Sequence, residues 1–163
     1  MIIRPINAQD DRLSISHVYE ESWKSAYKGM LPQEYLDSIP TGHWVQFQDG
    51  AAHHTLIMLD NDKIIGTSSY GASRFEDMNG YGEIISIYLL PVYWGNGYGK
   101  QLLQATVGGL LQIGYKAIFL WVLEANMKAR RFYERFGFAA GGAYLENDIG
   151  GKKVREIQYI LHI

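Results

Sequence analysis

Glu83-Ile84-Ile85-Ser86-Ile87-Tyr88-Leu89-Leu90-Pro91, followed at once by Trp94-Gly95-Asn96-Gly97-Tyr98-Gly99-Lys100, is the stretch that decides the fold of this chain. The first run is rich in β-branched and aromatic residues and predicts a strand, which Pro91 ends because proline has no N–H for the ladder. The second predicts a tight turn that opens a helix from about Gly97 to Gln112. Leu102, Leu103, Val107 and Leu110 form its buried stripe, and Gly114 is its stop. The first turn of a helix carries backbone N–H groups without intrahelical partners, and its dipole favours an anion. Gly95, Gly97 and Gly99 leave those amides bare and Lys100 adds a positive charge, so the turn suits a pyrophosphate. It is not a Walker A loop, which needs Gly-Lys-Ser/Thr after four intervening residues. It is not the dinucleotide fingerprint either, because Lys100 stands where the third glycine belongs. A glycine turn serving only close strand–helix packing fits the same residues.

Working outward, Ile2 to Ile6 reads as a first strand. A helix follows, capped by Asp10 or Asp11, with Leu13, Ile15, Val18 and Trp23 as apolar contacts, and Gly29 can stop it. Pro32 starts a second helix carrying Tyr35, Leu36 and Ile39. Thr55 to Leu59 and Lys63 to Ser69 form a hairpin about Asp60-Asn61-Asp62, and Arg74 to Gly82 is a polar loop. After the central helix, Lys116 to Leu123 is almost wholly apolar, as a strand covered on both faces would be. Asn126 to Phe136 is a short helix closed by Gly137. Phe138 to Glu146 and Val154 to Ile163 make a last hairpin across Asp148-Ile149-Gly150-Gly151. No linker or repeat divides the sequence. One α/β domain over residues 1–163 is expected, with a mixed, mostly antiparallel sheet and helices on both faces.

Composition narrows the chemistry. The 163 residues are 47% hydrophobic, enough for a full-sized core, and the net charge of −2 offers no global basic field to nucleic acid or anionic lipid. There is no cysteine, so disulfides, thiolate metal sites and cysteine nucleophiles are excluded, and a reducing cytoplasm is the expected setting. His53-His54 lacks a spaced third ligand, so no metal is expected, and no apolar run reaches membrane-spanning length.

Beyond the second strand of this unit stands Asn126-x-x-Ala129-x-x-Phe132-Tyr133-x-x-Phe136-Gly137-Phe138. Asn126 is an ordinary helix cap, and Tyr133, seven residues on, falls on a similar side of the helix. Taken alone, the aromatics of this block read as core. Together with the glycine turn, however, the block resembles the GNAT acetyltransferase family. The splayed strand, the turn with Gly97-x-Gly99 and the Asn-to-Phe block are similar to its acyl-coenzyme A and catalytic motifs. Trp94 stands where that family has Gln or Arg, which removes one polar partner of the ligand.

The resemblance implies a GNAT fold and transfer of acetyl from acetyl-CoA directly to an amine in a ternary complex. It implies that Ile87, Tyr88, Leu89 and Leu90 line the pantetheine arm, with Trp94 to Lys100 and Asn126 completing the cofactor site. Tyr133 would give a proton to the leaving thiolate. A phenol of ordinary pKa about 10 is protonated at neutral pH, and no nucleophilic residue is needed. Glu83 lies at the spacing of the glutamate base of histone-type members. Its apolar neighbours suit a proton-accepting carboxylate, although an exposed glutamate opening a strand reads equally well. Other members use water chains.

The segment Trp23-x-x-x-Tyr27-x-Gly29-x-Leu31-Pro32-x-x-Tyr35-Leu36 is similar to bacterial members that acetylate polyamines and other small amines. Trp23, Tyr27 and Tyr35 either receive a cationic amine or pack the helices on the sheet. A polyamine or other small primary amine is the first expectation for the acceptor, and a protein N-terminal amine or lysine the second. A non-catalytic acyl-CoA sensor and a nucleotide-binding module are the readings from other classes. Dimers are common in the family, but no segment here specifies a homodimer interface.

Overall fold

The apolar runs and the turn residues between them build seven strands. They are β1 (Ile2–Pro5), β2 (His53–Asp60), β3 (Lys63–Ala72), β4 (Gly82–Leu89), β5 (Ala117–Leu123), β6 (Ala139–Ile149) and β7 (Lys152–His162). The computed structural model describes residues 1–163. One sheet contains all the strands in the order β1-β2-β3-β4-β5-β7-β6, and only β4 and β5 run parallel. Four helices complete the chain: α1 (Arg12–Ala26), α2 (Gln33–Ser38), α3 (Tyr98–Gln112) and α4 (Met127–Phe136).

Local chemistry accounts for most boundaries. Asp11 caps α1 by accepting from the Leu13 N–H at 3.1 Å. Leu13 itself is 57% exposed, contrary to expectation, because it lies about 200° around the helix from the buried Ile15. Asn61 takes a left-handed φ of 52° in the β2–β3 turn. Gly150 and Gly151, both at positive φ, close the β6–β7 hairpin.

Two features of β4 position the site. Ser69 pairs with Ser86 but Tyr70 pairs with Ile84, so Ile85 is an extra residue in a β-bulge. The bulge resets the alternation of faces. Ile84 packs with Tyr70, Leu103, Leu110 and Ile118 on the α3 side, whereas the Ser86 hydroxyl meets the Tyr19 hydroxyl of α1 at 2.8 Å on the other face. Second, β4 and β5 pair only at Gly82–Ile118 and Glu83–Phe119. Beyond those residues the strands diverge, leaving a wedge between Ile84–Leu89 and Leu120–Leu123.

Three core clusters hold the walls. One joins α3 to Ile118, Leu120, Val122, Phe138 and Tyr159. A second joins α1 to β2, β3 and the end of β4. The third sets Leu31 and Leu36 of the α2 region on Leu123, at the open end of β5.

Candidate active site

The glycine turn sits at the mouth of the wedge. Gly95 and Gly97 have φ of 80° and 82°, a region that L side chains rarely adopt. A Cβ added to either would meet no atom within 4 Å. Packing therefore does not require these glycines; the backbone path does, and the concavity above the first amides of α3 stays open. Gly99 differs, since its Cβ position lies 3.6 Å from the Phe132 ring, in ordinary contact with α4. Asn96 and Lys100 are exposed, while Tyr98 packs with Tyr93 against the core.

Trp94 takes a bracing role. Its indole N–H donates to the Leu89 carbonyl at 2.7 Å, and the Lys128 ammonium lies 4.3 Å above its ring. The residue that replaces a polar ligand partner thus ties the turn to the end of β4 and holds a cation from α4 beside it. Sequence reasoning missed Lys128. Its place in the first turn of α4, two residues after Asn126, was the available signal.

The open edge of β4 presents fewer groups than its sequence suggests. The Leu90 N–H donates to Ile65 O at 2.8 Å, towards β3. Successive strand residues turn their N–H groups to opposite edges, so those of Ile87 and Leu89 face the wedge. Leu90, expected to line the arm with its neighbours, gives its amide to β3 and its side chain to the core. Tyr88 contributes its phenol rather than its amide. The Leu89 carbonyl is also taken, by Ser22 Oγ at 3.0 Å as well as by Trp94.

Across the wedge, Asn126 caps α4, its Oδ1 accepting from the Ala129 N–H at 3.2 Å. That leaves its amide N–H groups unused by the protein. Tyr133 is held by Phe132, Phe138 and Tyr159, with ring centroids 5.3, 5.9 and 6.5 Å away. Its hydroxyl has no protein partner. Burial, and then the neighbouring Tyr88, push the Tyr133 phenol well above its ordinary pKa of 10.0. Tyr88, whose hydroxyl lies 3.2 Å from that of Tyr27, is pushed up to about 12, chiefly by burial. These phenols remain proton donors at neutral pH.

Glu83 is where the sequence reading needs correction. Its side chain is only 1% exposed and is fully engaged by Arg74. The Arg74 Nε and Nη2 donate to its two oxygens at 3.0 and 2.7 Å, and the Arg74 backbone N–H adds a bond of 3.1 Å. A carboxylate so occupied is a strut tying the polar loop to β4, not a free proton acceptor.

On the acceptor side, Trp23 stacks edge-on against Tyr27 at 4.9 Å and tilts over Trp44 at 5.3 Å. Tyr35 packs on the β6–β7 turn, close against Gly150, so it braces α2 rather than facing the wedge. Phe75 of the polar loop leans on Phe119 and Trp121 at 6.1 and 5.6 Å, extending the aromatic wall along β5. The indole N–H groups of Trp23 and Trp121 are buried without a hydrogen-bond partner.

A separate polar hollow of about 570 Å³ lies among Arg4, Asp10, Asp11, His17, Asp62 and Lys63 and shares no residue with the wedge. No helix is long and apolar enough to cross a membrane.

Comparison with known proteins gives consistent matches. Residues 15–138 match the model of the Acetyltransferase (GNAT) family. The uncharacterized N-acetyltransferase YuaI of Bacillus subtilis is 31% identical over 122 residues, 72% of this chain and 69% of that protein. The spermine/spermidine N(1)-acetyltransferase of the same organism is 33% identical over 95 residues, 56% of this chain and 60% of that protein. Among solved structures, the PaiA N-acetyltransferase of Thermoplasma acidophilum in complex with coenzyme A superposes with a TM-score of 0.73. It is 21% identical, with both chains covered completely, and so speaks to the fold alone.

Proposed function

Because the chain belongs to the acetyltransferase (GNAT) family, we propose that this acetyl-CoA-dependent N-acetyltransferase acts on a small primary amine of the polyamine kind. One observation carries the reading: an unpaired strand edge runs into a bare-amide turn, with an unpartnered phenol on the opposite wall. Similarity to a spermine/spermidine acetyltransferase supports the acceptor class, as does the aromatic wall of Trp23, Tyr27 and Tyr88.

When bound, acetyl-CoA supplies an activated thioester. The amides of α3's first turn would hold its pyrophosphate, and the open space above Gly95 and Gly97 suits that group. Lys128, fixed over Trp94, provides the cation that the turn's first position lacks. The Ile87 and Leu89 N–H groups would pair with the extended arm, and the Leu89 N–H would polarise the acyl carbonyl. The Asn126 amide steadies the arm from α4. Tyr133 supplies the proton taken up by the departing sulfur.

The test is thiol release from acetyl-CoA across spermidine, simple monoamines, amino acids and short peptides. The protein has no cysteine, so a thiol reagent reports product alone. Turnover confined to peptides would transfer the acceptor assignment to protein amines. Acetyl-CoA binding without turnover on any amine would favour a sensor.

Gly97→Ala separates the cradle from the fold. Alanine held in the left-handed region costs about 1–2 kcal/mol, and its methyl would project into the open concavity. Acetyl-CoA affinity should fall roughly tenfold or more with only a modest drop in Tm, read by calorimetry and thermal melting. Unchanged affinity would mean that the ligand does not lie on this turn.

A further inference from the structure

On the sheet face that carries Tyr88, β7 places a carboxylate with no salt-bridge partner; Glu20 of α1 is also without a cation, but its Oε2 accepts from Ser16 Oγ and the Gly42 N–H. Glu156 of β7 stands directly opposite Leu123 in the antiparallel register, and directly opposed residues share a face. Leu123 packs against Leu31 and Leu36, with Trp23, Tyr27 and Val154 beside them, so Glu156 points to the α1–α2 side at the open end of the wedge. It is half-buried and takes part in no salt bridge; its one hydrogen bond comes from the Asn147 amide on β6.

The charges that face it are few. Glu83 and Arg74 satisfy each other, leaving Glu156 as the net charge of the three. Burial, then the Tyr88 phenol, and least of all the charge of Glu156 hold the Tyr27 phenol above its ordinary range; burial chiefly, and Glu156 least, do the same for Tyr88. Arg155, its chain neighbour, turns to the opposite face, over Tyr144 and beside Glu124 and Glu146.

We infer that Glu156 is the specificity-determining carboxylate that holds a second ammonium group of the acceptor, one that is not acetylated. This rests on the small-amine reading given above. The attacking nitrogen must be neutral and lie at the β4 edge, near Leu89 and Tyr133. Glu156 lies on β7, beyond β5, so at least two strand spacings, about 9.6 Å, separate it from that edge. A polyamine such as spermidine, whose terminal nitrogens are separated by more than one alkyl segment, spans such a gap. Its remote ammonium then meets a carboxylate beside aromatic faces, both favourable to a cation. A monoamine has nothing to place there.

The experiment compares kcat and KM for spermidine and propylamine in the wild type, Glu156→Gln and Glu156→Asp, with acetyl-CoA binding and Tm measured for each. Glu156→Gln should raise KM for spermidine by about tenfold or more and change propylamine by less than about twofold. Glu156→Asp should recover part of the loss. Equal losses on both amines, or none on either, would overturn the assignment. Should the wild type acetylate no amine, the small-amine reading fails separately. Calorimetric binding of spermidine then decides for Glu156, and equal affinity in wild type and Glu156→Gln would sink it.

Discussion

Tyr133→Phe lowers kcat by about 10²- to 10³-fold while leaving acetyl-CoA affinity and Tm close to those of the wild type. The ring is what packs against Phe132, Phe138 and Tyr159. The hydroxyl has no protein partner, so its removal leaves no donor or acceptor stranded. In the mechanism proposed above, what is lost is the proton for the departing sulfur, which is needed only as the bond breaks. The deficit therefore belongs in kcat rather than in binding. Single-turnover measurements at saturating acetyl-CoA check this, and a loss under about threefold would assign Tyr133 to the core. The pH profile gives a second reading. Burial raises the Tyr133 pKa above 10.0, so the acid stays loaded through pH 10 and contributes no alkaline fall below it. The rate should instead climb as the amine loses its proton.

The same shifts bear on stability. Tyr27, Tyr88 and Tyr133 hold their protons more tightly folded than unfolded. Below pH 10 both states are protonated and the contribution is intact. Above it the unfolded chain ionises first, and stability falls as the pH rises through the raised values, by about 1.4 kcal/mol per pH unit for each phenol concerned.

The parts of this site legible in the sequence are those written in neighbouring residues. The β4–turn–α3 unit announces itself through Pro91 and three alternating glycines, and the α4 cap through Asn126. Each signal is local because the hydrogen bonds involved span three or four positions. The parts not legible depend on pairing across the sheet. Nothing in Glu83 to Leu90 reveals that Ile85 is bulged, because the bulge exists only relative to β3. The direction of the Leu90 amide follows from its bond to Ile65, 25 positions earlier in the sequence. Glu156 reads as one more charge in a terminal hairpin until the register sets it opposite Leu123. Glu83 misled for a related reason. Its spacing to the turn was visible, but the arginine that occupies it comes from a loop that composition marks only as polar.

Arg74→Met and Glu83→Gln should act in opposite order on stability from what a catalytic base would predict for activity. Arg74→Met removes two hydrogen bonds and the only cation from a carboxylate that is 1% exposed. An uncompensated buried charge costs about 3–5 kcal/mol, and since the Arg74 side chain is 57% exposed, water can replace part of what it gave, leaving about 2 kcal/mol. For a domain of this size that lowers Tm by roughly 4–8 °C. Glu83→Gln is milder. The amide oxygen still accepts from the Arg74 backbone, and a half-exposed guanidinium without its partner returns to solvent. Replacing both partners with apolar residues, as Arg74→Met/Glu83→Leu, should recover most of the loss, because an apolar pair of similar volume replaces a buried ion pair at little cost. Activity separates strut from base. A general base contributes about 10²–10⁴ in rate, so Glu83→Gln would abolish turnover if Glu83 took the amine's proton. With Arg74 on both its oxygens, Glu83→Gln should keep kcat within about tenfold of wild type while Arg74→Met melts earlier. A kcat loss of a thousandfold in Glu83→Gln at unchanged Tm would instead require Arg74 to release the carboxylate when the acceptor enters.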